Sequence, residues 1–99
     1  MKREANLAEV GLLTADVAIK TAPGYLYSIT LAYRGVTAGE FCTIKNGTTV
    51  AGSDEVMIVF PAANGTFTKE WPEGKWFDTG MYFNKGASAG SVWAEVTFR

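Results

Sequence analysis

The sequence predicts an all-β protein: a single small antiparallel β-sandwich, jelly-roll or Greek-key like, with a short N-terminal arm. Short β-branched and aromatic runs alternate with Gly, Pro, Asn and Asp along most of the chain, which is the punctuation of strands and tight turns. No long helix fits the apolar periodicity. The chain has 99 residues, 47% of them hydrophobic and 19% charged, enough for one core and one domain and unlike the highly charged composition of disordered segments.

Residues 1 to 12 mix Lys2, Arg3, Glu4 and Glu9 with scattered apolar side chains. They are too short and mixed for an independently stable helix, so they are expected to form an arm ahead of a sandwich spanning 13 to 99. Residues 16 to 21 alternate as a strand, and Pro23-Gly24 fits the central positions of a type II turn that would keep this strand close to the next. The clearest strand is 25 to 34, with Tyr25, Tyr27, Ile29, Leu31 and Tyr33 on a core face and Ser28, Thr30 and Arg34 opposite. A strand over 40 to 45 sets Phe41 and Thr43 against Cys42 and Ile44. Asn46-Gly47 then supplies the positive φ values of a type I′ hairpin turn, reversing Lys45 into Thr48, Thr49 and Val50. Residues 55 to 60, apolar almost throughout, have the composition of a strand covered on both sides or lying at a subunit contact.

Residues 66 to 71 form a strand with Phe67 and the Lys69 stem opposite Thr66 and Thr68. Pro72-Glu73-Gly74 reads as a turn before short strands at 75 to 77 and 80 to 84, and 85 to 90 is a loop of small residues. The last strand, 91 to 99, directs Val92, Ala94, Val96 and Phe98 inward and Trp93 and Glu95 outward. About eight strands of this length suit two packed sheets.

Composition argues against most chemistry. There is no histidine, hence no imidazole base, triad or common metal ligand. Nine basic and ten acidic residues give a net charge of -1, so no basic field favours nucleic acid or a membrane surface. The longest strongly apolar run is far shorter than the roughly 20 residues of a membrane-spanning helix, and Glu4, Asn6 and Glu9 interrupt any signal-peptide run. Cys42 is the single cysteine; it can form no internal disulfide, and only a lysine or a helix N-terminus could activate it, so it reads as packing. The carboxylates Asp54-Glu55, Glu70 with Glu73, and Asp78 with Glu95 could serve glycoside hydrolysis only in a deep cleft. Short loops leave little material for one, and the charges read as solvated turn residues. No enzyme, cofactor or metal site is expected.

Two partner surfaces are expected: the arm, through Lys2, Arg3 and Leu7, and the outer face of the last strand, through Trp93 and Glu95. An alternative is a carbohydrate-binding module with Trp71 and Trp76, which flank Pro72-Glu73-Gly74, as a sugar-stacking pair.

The segments at 20 to 30 and 77 to 83 and the closing Ala94-Glu95-Val96-Thr97-Phe98 resemble small β-rich virion proteins of tailed bacteriophages, with a likeness spanning residues 16 to 99. The shared pattern is a Pro-Gly turn before a strand, a central Asn-Gly hairpin, and a small-residue loop before the last strand. The chain most resembles capsid decoration or cement proteins. That resemblance implies a non-enzymatic protein on the capsid exterior, assembled in the host cytoplasm, bound to the major capsid protein and gathered as a trimer. A minor tail, connector or head-fibre protein would share its composition.

Overall fold

In a computed structural model of the chain, residues 8 to 86 and 90 to 99 are described, the first five by their backbone alone. The eight strands are β1 (Ala8–Leu13), β2 (Val17–Lys20), β3 (Gly24–Arg34), β4 (Phe41–Asn46), β5 (Ser53–Val59), β6 (Gly65–Phe77), β7 (Met81–Asn84) and β8 (Ser91–Phe98). They build two antiparallel sheets, a first of order β1-β8-β3-β6 and a second of order β2-β7-β4-β5. The first strand pairs with the last, the second with the seventh, the third with the sixth and the fourth with the fifth. This is one long antiparallel ribbon rolled upon itself, closed by β3–β8 and β4–β7 pairing: a jelly roll.

The core lies between the sheets. Leu26, Ile29, Leu31, Val92, Ala94 and Val96 come from the first, and Cys42, Ile44, Val56, Ile58, Met81 and Phe83 from the second. Phe60, fully buried just after β5, stacks at 4.6 Å on Tyr33 of β3 and ties the sheets at one end. Alternation in β8 is regular, with Val92, Ala94, Val96 and Phe98 buried, because both of its edges are paired and one face meets the core.

Several local expectations are corrected. Five of the twelve residues of the expected arm are strand: Ala8–Leu13 pairs with β8 at the edge of the first sheet. Residues 1 to 7, with Lys2, Arg3 and Leu7, lie outside the described residues, as do 87 to 89 of the small-residue loop. In β3 the pairing with both neighbours shifts between Leu26 and Ser28. This bulge at Tyr27 changes the parity, so that Leu26 enters the core while Tyr25 and Tyr27 stay half-buried outside it.

Pro23-Gly24 makes no type II turn: positive φ among the described glycines occurs at Gly35, Gly39, Gly74 and Gly86. Gly24 instead opens β3, where a Cβ would strike the Arg99 carbonyl, and the chain crosses from one sheet to the other. Asn46-Gly47 likewise forms no two-residue turn; residues 47 to 52 span the β4–β5 connection. The Asn46 side chain goes to the β6–β7 turn, donating to Asp78 Oδ1 at 2.8 Å and accepting from Thr79 N at 3.0 Å. Pro72 does not end its strand either. Both halves of β6 pair with β3, with residues 71 to 74 bulged between them, which a sheet edge allows because a missing N–H there breaks no ladder bond.

Candidate functional site

The two outer faces of the sandwich carry what the core does not use. On the second sheet, β4 and β5 point Phe41, Met57 and Val59 outward, 43%, 55% and 52% exposed. Register makes them neighbours: Phe41 lies opposite Val59, and Thr43 opposite Met57. Cys42 and Ile44 fill the core from the alternate positions, as the sequence periodicity predicts. The expectation for 55 to 60 resolves here: Val56 and Ile58 are buried, whereas the other face of the strand is uncovered within this chain.

Thr43 points outward yet is buried, and its Oγ1 has no hydrogen-bond partner. It borders a cavity of about 280 Å³ with Glu40, Phe41, Asn84 and Gly86. The polar groups at its rim are partly engaged: Glu40 Oε1 accepts from Thr37 N at 3.4 Å, and Asn84 Oδ1 accepts from Gly86 N at 3.1 Å. An apolar patch beside an unsatisfied hydroxyl is a surface that gains from being covered.

On the first sheet the outer face is different. The Trp76 ring, 53% exposed, lies 4.9 Å from Tyr25, which lies 6.2 Å from Tyr27. The Arg99 guanidinium stands 5.7 Å over both tyrosine rings. Further along the same face, Trp93 is half-buried opposite Ala32, and Glu95 is exposed opposite Thr30. Trp93 and Glu95 therefore share an outward face, as their spacing predicts. Trp71 and Trp76 form no joint platform. The β6 bulge packs Trp71 against the core, with Lys69 Nζ 5.6 Å from its ring, while Trp76 leans on Tyr25 outside.

The acidic clusters disperse. Asp54 pairs with Lys45 at 2.6 Å, and Glu55 reaches Lys75 at 3.8 Å, linking the edges of the two sheets. Asp78 lies at the β6–β7 turn and Glu95 in the middle of β8. The Asn46 and Thr79 hydrogen bonds hold the Asp78 carboxyl below the ordinary aspartate range. Among the described residues no three His, Cys, Asp or Glu side chains gather as a metal site would require. Burial pushes the Cys42 thiol up to about 12, so it stays protonated and packs as a small apolar group.

Phe41, Met57 and Val59 could be found in the sequence from the apolar run at 55 to 60 and the parity of β4. The Tyr25, Tyr27, Trp76 and Arg99 cluster could not, because two bulges create it. Comparison of the chain with protein-family models, curated proteins and solved structures found no match.

Proposed function

We propose that this protein is a non-enzymatic decoration (cement) protein of a tailed-bacteriophage capsid, and that it seats the outer face of its second sheet on the major capsid protein shell. The observation that carries the docking reading is the contiguous Phe41, Val59 and Met57 patch next to the unsatisfied Thr43 hydroxyl. The virion setting rests on the resemblance of residues 16 to 99. Covering each half-exposed apolar side chain contributes about 1 kcal/mol, and many copies on one particle turn modest contacts into firm attachment, more so if they gather as trimers. A jelly roll suits this role, since most of its described residues are committed to hydrogen-bonded strands. Trp93, half-buried on the outer face of the first sheet, remains available for contacts between neighbouring copies.

The test is quantitative mass spectrometry of purified particles. Copies in simple ratio to the major shell protein support decoration of the capsid exterior. A handful of copies per particle would replace this reading with a tail or connector role, and absence would overturn the virion assignment.

A further inference from the structure

We infer that the outer face of the first sheet binds a neutral pyranose oligosaccharide, with Trp76, braced by Tyr25, as the stacking floor and the polar rows of β3, β6 and β8 as hydrogen-bonding partners. This inference stands apart from the shell-docking reading, which uses the opposite face.

The floor is built rather than incidental. The bulges of β3 and β6 lie opposite each other in one pairing, and together they turn Tyr25, Tyr27 and Trp76 out of the core; re-aiming side chains is what bulges do. Tyr25 is then held from three directions. Trp76 meets it at an interplanar angle of 55°, Arg99 caps it, and the Gly74 backbone lies so close that a Cβ there would come within 2.9 Å of the ring. Gly74 has φ +85°, a conformation glycine adopts without strain. The supporting tyrosine is thus fixed before any ligand arrives, while the tryptophan it supports keeps half of its surface open.

The chemistry around this floor selects the ligand. A pyranose ring offers an apolar C–H face to an aromatic side chain and a rim of hydroxyls to polar neighbours. Between the aromatic cluster and the Ala32 and Trp93 pair the face is polar: Ser28 lies between Glu70 and Thr97, and Thr30 between Thr68 and Glu95. Among the described residues Glu70 and Glu95 have no hydrogen-bond or ion-pair partner, so their oxygens can accept from sugar hydroxyls. Two free carboxylates disfavour uronic or sialic acids, and the Arg99 guanidinium is engaged over the tyrosines. Hence the ligand is neutral.

The test is an NMR titration of the intact chain with neutral gluco-, galacto-, manno-, xylo- and N-acetylglucosamine oligosaccharides, with an oligouronate as the charged comparison. The expected result is a saturable shift of the Trp76 indole Nε1–H with at least one neutral oligosaccharide, weakened about tenfold or more in Trp76→Ala and retained in Trp93→Ala. Trp76→Phe, which keeps an aromatic ring and the fold, should retain part of the binding. No Trp76 shift with any neutral oligosaccharide, undiminished binding by a folded Trp76→Ala, or preference for the oligouronate would each overturn it. Particle copy number should be unaffected by Trp76→Ala, which separates this inference from the shell-docking reading.

Discussion

The outer faces of the two sheets belong to the same fold and differ in how they treat water. On the second sheet a threonine that points away from the core is nonetheless buried with its hydroxyl unpaired, between exposed Phe41 and Met57. On the first, the equivalent surface carries Ser28, Thr30, Thr97, Glu70 and Glu95 around an aromatic cluster, with a guanidinium over its tyrosines. A sandwich needs only one apolar face per sheet. Whatever the second face carries is therefore free to be set by partners, and here one such face exposes an apolar patch while the other exposes polar side chains beside an aromatic cluster.

The sharpest way to break this contrast is to charge each face in turn. Met57→Asp with Val59→Asp should weaken shell binding about a hundredfold through lost burial multiplied over many copies, with melting little changed. Trp76→Asp should leave shell binding intact; equal losses in a particle pull-down would mean that the faces are not distinct.

Backbone comes next. Gly74 and Gly39 both have positive φ, but a Cβ at Gly39 meets nothing within 4 Å, whereas one at Gly74 meets Tyr25. Both alanine variants should lose about 1 kcal/mol to strain, and Gly74→Ala about 1 kcal/mol more from the ring contact. Denaturant unfolding measures the difference, and equal losses would show that the Gly74 backbone does not brace the cluster.

A smaller effect has the opposite sign. Thr43→Val keeps the shape and removes the orphaned hydroxyl, so it should stabilise the chain by about 1 kcal/mol, while Thr30→Val on the first sheet should change stability by less than about 0.5 kcal/mol. Destabilisation by Thr43→Val in the same unfolding measurement would mean that its hydroxyl is satisfied.

The smallest effect is in pH. The carboxyl of Asp78 is depressed by Asn46 and Thr79. Its contribution is therefore fully present above the unfolded aspartate value of about 4 and is lost as pH falls through the lower folded value. Melting temperature should drop slightly below about pH 4, with a smaller drop in Asn46→Ala. An unchanged profile in that variant would remove the hydrogen bond as the cause.

Periodicity made the core of β4 and β8 legible, because each has one face against the opposite sheet and no irregularity in the buried stretch, whereas the apolar run of β5 hid its alternation of buried Val56 and Ile58 with exposed Met57 and Val59. It failed at β3, where one bulged residue at Tyr27 reverses parity and moves Tyr25 out of the core. Turn chemistry was legible in kind but not in place. Asn46 does stabilise a turn, yet through its side chain and 32 residues away in sequence, a pairing that only the topology creates. β1 was hidden because Gly11 and the adjacent Leu12 and Leu13 break the alternation where its pairing with β8 is irregular, and Pro72 read as a break because its position on an edge depends on strand order. Phe41, Met57 and Val59 were foreshadowed by the apolar run at 55 to 60. The aromatic cluster was not, since it joins residues from β3, β6 and the residue after β8.

The pairing of first strand with last and second with seventh leaves, among the described residues, a single hydrogen-bonded pairing between consecutive strands, the β4–β5 hairpin. Each other pairing must close a longer loop, and such closure slows a chain that is searching for its native order. The hairpin that carries Phe41, Met57 and Val59 is thus also the segment able to form earliest. Val56→Ala should slow refolding while Val92→Ala mainly speeds unfolding, a split that stopped-flow kinetics would resolve. Change in the proposed docking surface and speed of maturation are tied to the same stretch of chain, and a residue exchanged there also resets the clock on which the molecule folds.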